Sequence, residues 1–318
     1  LSLLRRSAAA AVWAISAWDD WFGAPPAARL AVHACAAVLI VGPWAPQIGL
    51  IVAIVALFAV IWSINLFNFM DGADGIAVTS ALVASVSLGA MARLHLPESS
   101  ALSWYCLIVG LAALGFLPFN LPPARLFMGD GGSTVLGLML VTLSVMGSIE
   151  GAWPAAVPAA LLVPIWADAT YTLLRRVAAG HSPFEAHRTH LYQRLALSGL
   201  GHRGLLLWMT GWLAISLGVA LLIGEVKSAS ASLGLVALYA TFYVVFAEWT
   251  LRRQPRELLR EQSRPTSLNG RSPPPRWRGR SPIRRASDFQ STGGPIQDRI
   301  TKHRCRKGKS GSLHRKPV

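Results

Sequence analysis

Cysteine is nearly absent from this 318-residue chain, and the three present, Cys35, Cys106 and Cys305, follow no metal-binding or disulfide spacing. Cys35 and Cys106 sit inside apolar runs, where cysteine behaves as a small hydrophobe. A disulfide framework and a zinc ribbon are therefore excluded. No His-Glu-x-x-His occurs, which removes the commonest helical zinc site. The opening Leu-Ser-Leu-Leu-Arg-Arg lacks the pattern of a cleaved secretory signal. No internal repeat is visible. Charge is scarce as well: 14% of residues are charged against 53% hydrophobic, with a mean hydropathy of +0.44. That balance argues against a soluble domain and for a polytopic, all-α membrane bundle.

What the chain has in quantity is long apolar runs, and runs of about 17–25 residues signal spanning helices. They cover 29–44, 48–67, 76–91, 102–119, 133–149, 154–174, 204–223 and 231–249, and 3–18 reads as the tail of one more helix. Eight to nine spans are expected. The formal charge of +15 belongs to the end of the chain, because residues 251–318 hold 19 Lys and Arg against four acids. Residues 1–250 hold 11 of each. Two parts follow: a membrane body, 1–250, and a basic tail, 251–318, whose low hydrophobicity and high charge predict disorder. The tail carries no aromatic platform or folded module, so no nucleic-acid partner is expected.

Four polar clusters interrupt the runs, at 19–29, 65–75, 120–132 and 175–203. Neighbouring clusters are separated by two spans, so parity puts all four on one side of the membrane, with the tail. They carry Arg29, Arg125, Arg175, Arg176, Arg188, Arg194 and Arg203, whereas the opposite loops carry Glu98, Glu150 and Glu225, with Lys227 and nearby Arg93 as exceptions. By the positive-inside bias the clusters and the tail face the cytoplasm.

Asp19, Asp20, Asp71, Asp74 and Asp130 in the clusters, with Asp168 just before the last of them, make six of the body's 11 acids. Ionisable residues beside a bilayer core are costly and usually functional. Asp19 and Asp20 are adjacent and repel, which a cation or a proton between them would relieve; a solvated helix end is the plainer reading of that pair. Asp71 and Asp74 lie in Asn65-Leu-Phe-Asn-Phe-Met-Asp-Gly-Ala-Asp-Gly-Ile-Ala77. A helix beginning near Asp71 would put both on one face, and Gly72 and Gly75 would let a ligand approach the backbone. The plainer reading is an N-cap and a first-turn acid. Phe127-Met-Gly-Asp-Gly-Gly-Ser133 offers a glycine-rich helix start for an anion and Asp130 for a metal, and Asn120 could add an amide. Asp168 lies within an apolar run, with Arg175 or Arg176 as its expected partner. His187-Arg-Thr-His-Leu-Tyr-Gln-Arg194 supplies groups suited to phosphate and to charge in a phosphoryl-transfer transition state; a basic membrane anchor is the alternative. The whole inventory suits magnesium and a diphosphate.

These strings, in this order, resemble the polyprenyl-phosphate N-acetylhexosamine-1-phosphate transferases, glycosyl transferase family 4. The resemblance covers about residues 10–220: Trp18-Asp19-Asp20, the 65–77 string, Phe127–Ser133, Asp168–Arg176 and His187–Arg194 each look like a family motif. It implies transfer of N-acetylhexosamine 1-phosphate from a UDP-sugar to undecaprenyl phosphate, with UMP released. It implies Mg2+, with Mn2+ as an alternative, held by Asp130 with Asp20 or Asp19. One aspartate of the first pair would take a proton from the lipid phosphate, and Asp71 and Asp74 would order the nucleotide-sugar. His187, His190, Arg188 and Arg194 would contact phosphates, with Asn65, Asn68 and Asn120 as further substrate ligands. The Asn-Phe-Met-Asp-Gly form looks like bacterial enzymes that start O-antigen or related surface polysaccharides, which implies the inner membrane. A homodimer is an open option. Family members usually have one or two more helices before the first aspartate pair, so either a truncated chain or a misplaced start is expected. The alternatives carried forward are a multi-pass transporter and an inactive, truncated family member.

Overall fold

A computed structural model describes residues 3–97, 100–182 and 189–253. All of them belong to one unit, Leu1–Gly279, and the rest of the chain, Arg280–Val318, lies wholly outside the described residues. His187 and Arg188 also lie outside them, as does the tail beyond 253.

Among the described residues the structure is helical with no strand. The helices run in order as α1 (Leu3–Phe22), α2 (Pro26–Val41), α3 (Ala45–Ile48), α4 (Leu50–Met70), α5 (Ile76–His95) and α6 (Leu102–Asn120). They continue as α7 (Gly129–Ile149), α8 (Ala156–Leu161), α9 (Val163–Ala178), α10 (Leu191–Leu195), α11 (Gly201–Glu225) and α12 (Ala229–Arg253). A 3-10 turn, Gly42–Trp44, joins α2 to α3, and a π-helical stretch, Ala196–Leu200, joins α10 to α11.

Seven helical stretches are long and apolar enough to cross a membrane: Pro26–Ile48, Leu50–Met70, Ile76–His95, Leu102–Asn120, Gly129–Ile149, Leu191–Glu225 and Ala229–Arg253. The expected run over 154–174 is divided between α8 and α9. Pro164 is the reason, since its missing N–H and its ring both oppose an unbroken helix through Leu162. α1 carries Arg5, Arg6, Asp19 and Asp20 within its 20 residues, so it is long but less apolar than the others.

Two buried clusters hold the bundle. One gathers Ala8 and Val12 of α1, Ala36 and Ile40 of α2, Val60 and Ile64 of α4, and Leu138 and Val141 of α7. The other runs from Leu66 and Phe67 of α4 to Tyr239 and Tyr243 of α12. α4 and α7 contribute to both, so they form the spine that places the C-terminus of α4 beside the N-terminus of α7. Among exposed side chains are Ile51, Val55, Ile108, Leu111, Leu207 and Val245, an apolar surface in keeping with a lipid surround.

Candidate active site

The polar clusters predicted to share one side meet at one end of the bundle. The meeting begins at α7. A helix start leaves backbone N–H groups without partners, and here a carboxylate of this chain takes them: Asp130 N and Gly131 N donate to the two oxygens of Asp20, each at 3.0 Å. The glycine-rich start therefore binds an anion as expected, but the anion is Asp20. Gly129 makes this approach feasible, with φ of +66° and no side chain; a Cβ there would stand 2.9 Å from Asp20 Oδ2.

Asp19 turns the other way. It accepts from Ala24 N and from Arg29, whose same guanidinium nitrogen lies 3.0 Å from Asp130 Oδ2. Asp19 and Asp20 thus turn to separate partners, Asp19 to Ala24 N and Arg29 and Asp20 to the amides at the start of α7. In the sequence Arg29 contributes only to the positive charge of its loop. No spacing rule marks it, because its role comes from α2 packing beside α1 and α7.

Asp71 and Asp74 are not on a helix. α4 ends at Met70 with Asp71 as its C-cap, and α5 starts only at Ile76 after Gly75 in the left-handed region at φ +79°. The expectation of a helix beginning at Asp71 is corrected: two glycines in five residues favour a turn over a helical start. Asp74 Oδ2 accepts from Ala124 N at 3.0 Å, and its Oδ1 lies 3.1 Å from His202 Nδ1. His202 was not singled out from the sequence, and only its flanking glycines, Gly201 and Gly204, hint at a loop entering a helix. Asp71 Oδ1 is buried and makes no hydrogen bond. Burial first, then the carboxylates of Asp130, Asp20 and Asp74, push the Asp71 carboxyl up to about 8.

The three asparagines are largely occupied. Asn120 is 2% exposed, its Oδ1 accepting from Gly75 N at 3.0 Å and its Nδ2 donating to Leu126 O at 3.0 Å. It braces two loops and has little left for a substrate. Asn65 Nδ2 donates to Ile61 O within α4. Asn68 Oδ1 accepts from the Ser133 hydroxyl at 3.3 Å, next to Asp130.

Asp168 is fully buried and receives the segment that follows the undescribed 183–188. It accepts from Leu191 N at 3.1 Å and Tyr192 N at 2.8 Å, with His190 Nδ1 at 3.3 Å. Arg175, one of its two expected partners, pairs instead with Glu248 of α12. Arg194, expected on a phosphate, is bound by both oxygens of Glu248. His190 is thus brought beside Phe69 and the aspartate turn, with ring centroids 5.9 Å apart.

Among the described residues no three His, Cys, Asp or Glu side chains form a ready metal shell. The donor chemistry nevertheless fits a hard divalent cation, which takes oxygen ligands. Asp71 offers a buried oxygen with no partner, and Asp20, Asp74 and Asp130 lie close enough to raise its carboxyl.

Residues 4–148 match the family model described as Glycosyl transferase family 4. The chain is 31% identical over 175 residues to a decaprenyl-phosphate N-acetylglucosaminephosphotransferase of Mycobacterium tuberculosis, covering 48% of this chain and 42% of that protein. It is 31% identical over 194 residues to a probable undecaprenyl-phosphate N-acetylglucosaminyl 1-phosphate transferase of Bacillus subtilis, covering 59% and 50%. It is 40% identical over 93 residues to a phospho-N-acetylmuramoyl-pentapeptide-transferase of Staphylococcus saprophyticus, 28% of each chain. The chain therefore spans half or less of the length of these relatives. The matched residues 4–148 contain Asp19, Asp20, Asp71, Asp74 and Asp130, so the similarity to glycosyl transferase family 4 runs through the acids gathered at this end of the bundle.

Proposed function

We propose that this bundle end transfers an N-acetylhexosamine 1-phosphate from a UDP-sugar to undecaprenyl phosphate. An oxygen of the lipid phosphate attacks the sugar-linked phosphorus, the bond to the UMP oxygen breaks, and UMP leaves with the electron pair. The observation that carries the reading is the convergence of four carboxylates from three separate segments, with one buried oxygen of Asp71 left free. Repelling carboxylates are costly to gather unless a cation or a developing positive field repays them.

Mg2+ is the cation of choice, and bound here it would offset charge on the diphosphate. Asp130 and Asp20 are the residues that would hold it, with Mn2+ as an alternative. Asp20 also keeps the start of α7 in place through two backbone N–H groups. Arg29 balances Asp19 and Asp130 and keeps a positive charge at the phosphate end. With Asp19 held by Arg29 and Asp20 by the α7 amides, the free oxygen of Asp71 is the best acceptor for a proton of the lipid phosphate. Its carboxyl at about 8 suits a base working near neutral pH. His190, oriented by Asp168, and His187 and Arg188 beside it in sequence, would contact phosphates.

In this reading the site faces the cytoplasm of a bacterial inner membrane, and the product starts a surface polysaccharide such as O-antigen. The test is product formation in membranes holding the full chain. Radiolabelled UDP-GlcNAc, UDP-FucNAc, UDP-QuiNAc and UDP-MurNAc-pentapeptide are each supplied with undecaprenyl phosphate and Mg2+. Label extracted into organic solvent as a lipid diphosphate from one of the first three supports the reading. Label only from the pentapeptide substrate moves the enzyme to peptidoglycan precursors, and none from any sugar rejects the transferase.

A further inference from the structure

The last carbonyls of a helix have no partner within it, and α4 ends at Met70. The carbonyl of Phe69 is one of these. It accepts a hydrogen bond from the hydroxyl of Tyr192 at 2.8 Å, from a residue 123 positions later in the chain. Gln193 Nε2 donates to the same hydroxyl at 3.1 Å. Tyr192 is 1% exposed, its backbone N–H is held by Asp168, and the His190 ring stacks 5.7 Å away. The hydroxyl is therefore the tip of a rigid ring fixed at both ends, and it cannot swing aside.

Gly72 faces that tip. A Cβ at Gly72 would lie 2.7 Å from the Tyr192 hydroxyl oxygen. The next atoms, the Phe69 carbonyl oxygen at 3.5 Å and Tyr192 Cζ at 3.9 Å, are at ordinary contact distance. Gly72 has no positive φ, so its backbone alone would accept alanine. One oxygen atom both caps the end of α4 and excludes a side chain from position 72, and Asp71 lies between the two points it touches.

We propose that Tyr192 is a positioning residue for the aspartate turn: its hydroxyl fixes the backbone from Phe69 to Gly72 and so sets where Asp71 stands among Asp20, Asp74 and Asp130. This rests on the transferase reading, in which the turn carries reacting or cation-holding groups. Tyr192 itself touches none of those groups.

The test is a double-mutant cycle in the full chain, with Tyr192→Phe, Gly72→Ala and the pair together, measuring UMP release and thermal unfolding on the same membranes. Tyr192→Phe is expected to lower kcat about tenfold with KM for the UDP-sugar within about twofold, because a displaced catalytic group costs rate more than ground-state binding. Gly72→Ala is expected to lower kcat about 100-fold, the scale of a 1 Å misplacement. The double variant is expected to match Tyr192→Phe within about threefold, since the clash disappears with the hydroxyl; coupling of this kind is what neighbours in contact show. A Gly72→Ala variant as active as the parent, or a double variant whose losses multiply, overturns the proposal. If the parent chain releases no UMP, the transferase reading fails. The brace is then decided on unfolding midpoints, where Gly72→Ala should be low and the double variant should return to the Tyr192→Phe value. Absence of that return overturns the brace whatever the activity.

Discussion

Asp71 differs from the other acids of the site in having an oxygen that is buried and unbonded. Its carboxyl at about 8 stands far above the ordinary aspartate value of 3.8, so the folded protein holds a proton there that the unfolded chain releases. Stability then falls as pH rises from about 4 to about 8, because over that window the folded state binds more protons than the unfolded one. Without divalent cations, the thermal midpoint of the parent should decline across this window, and Asp71→Asn should flatten the decline and be the more stable at pH 8. An unchanged slope in Asp71→Asn would place the titration elsewhere. Arg29 gives a second residue-scale prediction. Removing it leaves Asp19 and Asp130 without their shared counter-charge. Arg29→Ala should cost about 100-fold in kcat, on the scale of losing a charge-stabilising group. Arg29→Lys should restore part of it, and equal loss in both variants would speak for a role in packing alone. Asp71, Asp74 and Asp130 stand out in the sequence by their glycine neighbours, and packing brings them together with Asp20. The sequence did not show Arg29, His202 or the engagement of Arg194 by Glu248, since those pairings join segments from 10 to 128 positions apart and only packing reveals them.

At the scale of elements, Asp168 acts as the anchor of a whole segment. A buried carboxylate accepting two backbone N–H groups holds α10 and the histidine against α9. Asp168→Asn sets an amide N–H₂ against backbone donors, a loss of about 2 kcal/mol. Hydrogen exchange of the amides at 191–195 should speed up about thirtyfold, the factor that energy implies, while α5 and α6 keep their protection. Equal acceleration in all helices would mean that Asp168 supports the bundle generally. Most helices were legible as apolar runs, and their ends fell within a few residues of the turns. Two elements were not. The run at 154–174 reads as one span by composition, yet Pro164 divides it. The turn at 71–75 reads as a helix start by its acids, yet Gly75 at φ +79° places it between helices.

For the whole molecule, the shared end of the bundle is what parity in the sequence foretold, and contacts such as Asp20 with Gly131 and Tyr192 with Phe69 realise it. Which compartment that end faces is open to a labelling experiment. In a cysteine-free background, Ala27→Cys lies at the polar-cluster end and Ala101→Cys at the far end of α6, and both positions are exposed. A membrane-impermeant maleimide should label Ala101→Cys in intact cells and Ala27→Cys only after permeabilisation. The reverse pattern would turn the molecule over and remove the UDP-sugar from reach of the site.

The most direct test of the central claim is UMP release by membranes containing the full chain, with and without undecaprenyl phosphate, with and without Mg2+, and with Asp130→Asn beside the parent. The account predicts release that needs the lipid phosphate and the cation and is lost in Asp130→Asn, while the variant still inserts. Release that continues without the lipid, or undiminished in Asp130→Asn, would contradict it.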